Sequence, residues 1–161
     1  MEHDVFITRS RPGLGSNQAA RLIKRAVCAA LEAQGVSAPC EVNVLLTDDD
    51  GIHAINREFR GVDAPTDVLS FPMNELSPGA FDPAGCERNP ETGKILLGDM
   101  ALSLERARAQ GEEFGHGESR EIGYLTVHSV LHLLGYDHMD EGEQKKQMRA
   151  REKVICAALG L

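Results

Sequence analysis

The chain has 161 residues, 42% of them hydrophobic, which is the length and apolar content of one domain with a core of its own, residues 1–161. Its 25 acidic and 17 basic residues leave a formal charge of −8, which excludes attraction of the whole surface to nucleic acid or to an anionic membrane. Any anionic ligand has to find a local patch. No apolar run approaches the ~18 residues of a membrane span, and Met1-Glu2-His3-Asp4 is not a basic-then-apolar leader; the expectation is a soluble, cytoplasmic protein without a membrane partner. Cys28, Cys40, Cys86 and Cys156 form no C-x-x-C pair and read as reduced packing residues rather than ligands.

In chain order, residues 4–8 are β-branched enough for a strand, and a Pro/Gly turn over 9–15 follows. Ser16 is placed to cap a helix over 17–34. In it Ala20, Ile23, Ala26, Val27, Ala30 and Leu31 recur at helical spacing, the cations Arg21, Lys24 and Arg25 lie off that stripe as a solvated face, and Gly35 ends it. Residues 41–47 suit a second strand. Asp48, Asp49 and Asp50 cap and charge the start of a helix through about Phe59; the spacing of a calcium loop is absent.

Pro65 and Pro72 then bracket a short strand over 68–71, with Thr66 and Asp67 at its entry, where their side chains can tie down backbone amides. Arg60 falls in the turn before it. A guanidinium there can reach a cleft and grip a phosphate, although a solvated surface arginine is the default reading. Residues 73–94 hold Pro78, Pro83 and Pro90 among glycines and read as a long surface loop, able to flank a cleft. A strand over 94–100 follows, in which Gly98 lets backbones approach closely. Ser103 begins a charged helix through Gln110, Ser119 caps another over 120–134, and an amphipathic helix over 141–159 closes the chain.

The helix over 120–134 carries the chemistry. His128 and His132 stand four apart in an apolar run, so they share a face, and Gly135 can turn the chain to bring His138 back toward them. A lone histidine on such a face is ordinarily a core residue. Three at this spacing leave nitrogens whose burial is costly unless something satisfies them, and a metal does so. Three imidazoles at about 2.1 Å with an open fourth position are the donor set of a catalytic Zn²⁺, one per chain. The spacing overlays the H-E-x-x-H-x-x-G-x-x-H pattern of zinc peptidases, but Ser129 stands where those enzymes have their glutamate base. The pattern therefore supports the metal and argues against that mechanism.

Three motifs, Pro65 to Pro72, Leu97-Gly98-Asp99, and His128 to His138 through Leu133-Leu134-Gly135-Tyr136-Asp137, resemble in their order the YbeY family of single-strand-specific metallo-endoribonucleases of bacterial rRNA maturation. The resemblance runs from about residue 41 to the end. It implies an α+β fold, a small mixed sheet of about four strands packed by helices, zincin-like around the metal helix. It implies zinc held by His128, His132 and His138, with Arg60 as a catalytic arginine in the cleft and His128 counted with it in the catalytic set. It also implies single-stranded RNA as substrate, 16S rRNA 3′ end processing and ribosome quality control as the role, and the small ribosomal subunit and its proteins as partners, with no DNA. The family usually has Gly where Ser129 stands, which puts a hydroxyl beside the metal or packs it away.

The reaction so implied has a metal that activates water and polarises a phosphoryl oxygen, and an arginine that stabilises the developing charge. Two other classes remain to be separated: a zinc hydrolase of another substrate, if Asp99 or Asp137 points at the metal water, and a ribosome-assembly factor whose metal is mainly structural. Asp137 is expected rather to orient a ligand histidine.

Overall fold

In the computed structural model of the chain, residues 2–137 and 142–161 are described. Four strands form one mixed sheet: β1 (Asp4–Arg9), β2 (Cys40–Thr47), β3 (Val68–Pro72) and β4 (Ile95–Ser103), in the order β1-β2-β4-β3. β1 and β4 run parallel to β2, and β3 pairs antiparallel with β4, Phe71 facing Asp99 and Ser70 facing Met100. This is the expected α+β architecture, with β3 as an edge strand. Five helices accompany it among the described residues: α1 (Asn17–Ala33), α2 (Asp49–Arg60), α3 (Leu104–Glu113), α4 (Glu118–Leu133) and α5 (Glu143–Ala158).

Side-chain alternation splits the sheet into two faces. Val42, Val44, Leu46, Met100 and Leu102 enter the main core with α1 and α4, while Leu45, Phe71 and Ala101 meet Ile52 and Ile55 of α2 on the other face. Ser16 caps α1 by accepting from Ala19 N at 3.0 Å, and the helix buries the stripe read from its periodicity. Asp48 caps α2 in the same way, through Gly51 N at 2.9 Å, with Asp49 and Asp50 in the first turn and Arg57 and Arg60 in the last, both favoured by the helix dipole.

α4 is buried nearly all round, among the sheet, α1, α3 and α5. That explains its lack of a single apolar stripe. It begins at Glu118 rather than behind Ser119: Gly117 is the cap residue, with no side-chain hydrogen bond. Ser119 is exposed within the first turn. Three other boundaries move by more than one residue. β4 extends through Ser103, α3 runs three residues past Gln110, and α5 is seen from Glu143.

At Gly98 the close approach is real, for a β-carbon there would lie 2.5 Å from the Phe71 carbonyl oxygen and 2.8 Å from Leu133. Residues 73–94 form the expected loop, but a tied-down one. Asn74 donates to Leu96 O at 3.0 Å and accepts from Glu87 N at 2.8 Å, fastening both arms to the start of β4.

Candidate functional site

His128 and His132 sit one turn apart on α4 with their Nε2 atoms 3.1 Å from each other. Each ring is fixed from its opposite nitrogen. His132 Nδ1 lies 2.8 Å from the Tyr136 carbonyl oxygen, which can only accept, so Nδ1 carries the proton. That carbonyl is presented by the turn ending α4. Tyr136 N bonds Leu131 O and Gly135 N bonds His132 O, each at 3.0 Å, with Gly135 at φ +103°, a Schellman closure. Glycine is doubly required there, since a β-carbon would collide with the Leu76 carbonyl of the 73–94 loop. The loop thus flanks the site by bracing its turn. The buried Tyr136 ring anchors the same turn through its hydroxyl to Gln34 Oε1 at 2.9 Å.

His128 Nδ1 lies 2.6 Å from Glu152 Oε1 of α5, and Glu152 is only 4% exposed. A carboxyl oxygen there selects the Nδ1–H tautomer and fixes the ring's orientation. In their neutral forms both rings therefore turn Nε2 lone pairs toward one side, a donor arrangement that suits a cation. Two nitrogens of one tetrahedral zinc stand about 3.4 Å apart for bonds of ~2.1 Å, close to the separation seen. Among the described residues no group of three or more His, Cys, Asp or Glu forms a metal cage. His138, the third expected ligand, lies outside them.

The pair opens on a cleft of about 550 Å³ along the free edge of β3, between α4 and the end of α2, whose lining includes Arg60, Ser70, His128, His132, Gly135 and Asp137. Arg60 is not in a turn, as expected, but is the last residue of α2, where Gly61 at φ +69° ends the helix. The difference is useful. A helix end braced on β3 aims the guanidinium more firmly than a turn: Nη2 donates to Ser70 O at 2.8 Å, and Cζ rests 5.7 Å from the Phe71 ring centre. Its other N–H groups are left for a ligand in the cleft. Asp67 accepts from Val68 N at 2.7 Å, the anchoring role expected of that residue. Asn56 holds the intervening loop by donating to Ala64 O at 2.9 Å.

Ser129 packs away from the cleft. Its hydroxyl meets that of Ser70 at 2.7 Å, with Ser129 fully buried, so it ties α4 to β3. Asp99 lies on the α2 face of the sheet, accepting from Asn43 at 3.1 Å, and so stands away from the histidines. With it goes a larger hollow of about 630 Å³, whose size alone does not make it the site because neither histidine lines it. Asp137 is exposed and lines the cleft; the groups that orient His128 and His132 are Glu152 and the Tyr136 carbonyl.

Fold and cleft together define an α+β protein that brings a fixed imidazole pair and a guanidinium to one concave edge, a donor set suited to a phosphodiester. A family model described as endoribonuclease YbeY matches residues 7–160, more of the chain than the motifs alone marked. Proteins named endoribonuclease YbeY are 44% identical in Agathobacter rectalis, covering 88% of both chains, and 47% identical in Chloroflexus aurantiacus, covering 87% of this chain and 86% of that one. The chain belongs to the endoribonuclease YbeY family, whose members are named as hydrolases of RNA. TM1509 from Thermotoga maritima, solved in solution, shares the fold, with a TM-score of 0.61 at 23% identity over 96% of this chain and 88% of its own.

Proposed function

We propose that this chain is a zinc-dependent, single-strand-specific endoribonuclease that acts in rRNA maturation, at the 3′ end of 16S rRNA, and in ribosome quality control, with the small ribosomal subunit as partner. The observation that carries the metal part is the facing Nε2 pair of His128 and His132, each ring held by an acceptor at Nδ1. His128 and His132 would hold the ion, with His138 as the third ligand by its position in the motif. Bound there, zinc would supply a water acidified toward pKa ~7 and a Lewis acid for a phosphoryl oxygen.

Arg60 does the rest of the electrostatic work. Anchored by one N–H on Ser70 O, it offers the remaining donors to the phosphate in the same cleft and stabilises charge gathering there in the transition state. Glu152 and the Tyr136 carbonyl keep both imidazoles in one tautomer and one orientation. An acidic chain thereby confines its attraction for RNA to a small region. The place of Asp99 on the other sheet face removes one source of a peptidase-like base, and Ser129 supplies none.

The experiment is zinc content and cleavage of single-stranded RNA, measured side by side on the purified protein and on His132→Ala. About one zinc per chain, with zinc and cleavage both lost in the variant, is the expected result. Stoichiometric zinc without cleavage of any RNA would instead favour an assembly factor with a structural metal.

A further inference from the structure

A second groove, of about 350 Å³, lies between α4 and α5, and its lining includes Arg120, Tyr124, Arg149, Glu152 and Lys153. On α4, Arg120, Tyr124, His128 and His132 succeed one another every four residues, so they form one ridge. From Arg120 to His132 the ridge spans about 18 Å at 1.5 Å per residue, running from the groove into the cleft that holds Arg60. The two places are joined: Tyr124 packs against His128 with ring centres 6.0 Å apart, and Glu152 both lines the groove and bonds His128.

The groove's charge is unusual for this molecule. Arg120, Arg149 and Lys153 are all exposed, and none of them has an ion-pair or hydrogen-bond partner among the described residues. The acids beneath them are already engaged, Glu152 with His128 and Glu121 with His116, both at 2.6 Å. The surface left facing solvent is therefore cationic in a chain whose formal charge is −8. Tyr124, 37% exposed, adds an aromatic edge in the middle of it. Cations along a groove with an exposed aromatic among them suit a single strand, whose phosphates track the charges while an unpaired base stacks on the ring.

We propose that the groove between α4 and α5 binds the RNA strand to one side of the scissile phosphate, with Tyr124 as a base-stacking platform and Arg120, Arg149 and Lys153 as phosphate contacts. This rests on the ribonuclease reading above, and adds to it where the substrate lies. The strand would leave the Arg60 cleft over His128 and run along α4 toward its N-terminus. A duplex cannot present unstacked bases to Tyr124, which gives single-strand preference a location.

The test is the affinity of the full-length protein for a fluorescein-labelled, 2′-O-methyl, A/U-only RNA of about twelve nucleotides, followed by anisotropy between about 50 and 200 mM salt and checked intact by gel. Arg149→Ala/Lys153→Ala is compared with Arg21→Ala/Lys24→Ala, which removes the same charge from the exposed face of α1. The groove variant is expected to bind about tenfold more weakly, with a salt slope shallower by about 1.4, or ~0.7 for each phosphate no longer neutralised, while the α1 variant binds as wild type. Tyr124→Leu is expected to weaken binding about fivefold or more. With cleavable RNA the Arg149→Ala/Lys153→Ala change raises KM and leaves kcat nearly as it was. Equal affinity for the groove and α1 variants overturns the groove and leaves the ribonuclease reading standing; wild-type protein that neither binds nor cuts single-stranded RNA overturns both.

Discussion

Glu152 gives the sharpest test of the proposed metal site, because it acts on the metal only through His128. Its carboxylate is 4% exposed and 2.6 Å from Nδ1. Glu152→Ala removes the acceptor that selects the tautomer, so the ring is free to present N–H rather than a lone pair at Nε2. Removing such an orienting partner costs about 10–100-fold in metal affinity, or about 1.4–2.7 kcal/mol. Glu152→Gln keeps an oxygen for Nδ1–H and loses only the charge, so its loss is expected below about tenfold. Folding responds separately: the charge-assisted bond is worth about 2 kcal/mol, visible as a lower midpoint in urea for the metal-free alanine variant. Zinc affinity is read by competition with a chromophoric chelator under conditions where all three proteins are folded. An alanine variant that holds zinc as tightly as wild type would refute the argument, even if its stability fell as expected.

Four further outcomes follow from the same geometry. Arg60→Ala should lower kcat on single-stranded RNA by about 10²–10³ with zinc content unchanged, and cost only about 1 kcal/mol of stability for its bond to Ser70 O; unchanged kcat removes it from the reaction. Ser129→Ala strands the Ser70 hydroxyl in the interior and should destabilise by about 1–2 kcal/mol, and a Ser70→Ala/Ser129→Ala double variant should recover much of that in a double-mutant cycle, with zinc affinity constant throughout. Gly98→Ala pushes a β-carbon onto the Phe71 carbonyl at φ +150° and should cost about 3 kcal/mol, seen as a lower Tm; an unaffected Tm would mean that the β3–β4 pair is more pliable than described. Finally, burial pushes the Cys40 thiol up to about 12. At pH 8 only about one molecule in ten thousand is thiolate, so iodoacetamide should spare Cys40 in the native chain while labelling the partly exposed Cys86; the protection fades only as the pH rises toward that value or the chain unfolds.

Much of this site is legible in the sequence because its local half is written in short-range spacing. His128, His132 and Gly135 declare a shared helix face and a left-handed stop, and the Tyr136 carbonyl arrives at His132 by that turn alone. Glu152 is a different case. It stands 24 residues after His128 on another helix, and in the sequence it is one glutamate among the charges of an amphipathic segment. Its signal is its place between Met148 and Ile155, about one turn away on either side, on the buried side of α5. Asp137, next to the motif, is the nearer candidate by sequence, whereas the acid bonded to His128 comes from another helix. Arg60 lies in the same cleft as the histidines, but as the last residue of α2 rather than in a turn, since Gly61 is the residue that leaves the helix. The α4 boundary failed for a related reason: Ser119 has the capping chemistry, but the turn from α3 places Gly117 at the cap.

The two anchors of the imidazole pair differ in what they require of the chain. The Tyr136 carbonyl is in place as soon as α4 ends in its glycine turn, whereas Glu152 reaches His128 only when α5 has docked on α4. A fixed donor pair therefore exists only in the fully folded molecule, and a metal bound to it would stabilise the docked helix as well as the site. Docking of α5 also brings Arg149 and Lys153 opposite Arg120 and Tyr124. The same packing event that aligns the imidazoles thus builds the cationic groove beside them, so in this acidic chain the capacity to attract RNA and the capacity to hold a metal over it would arise together.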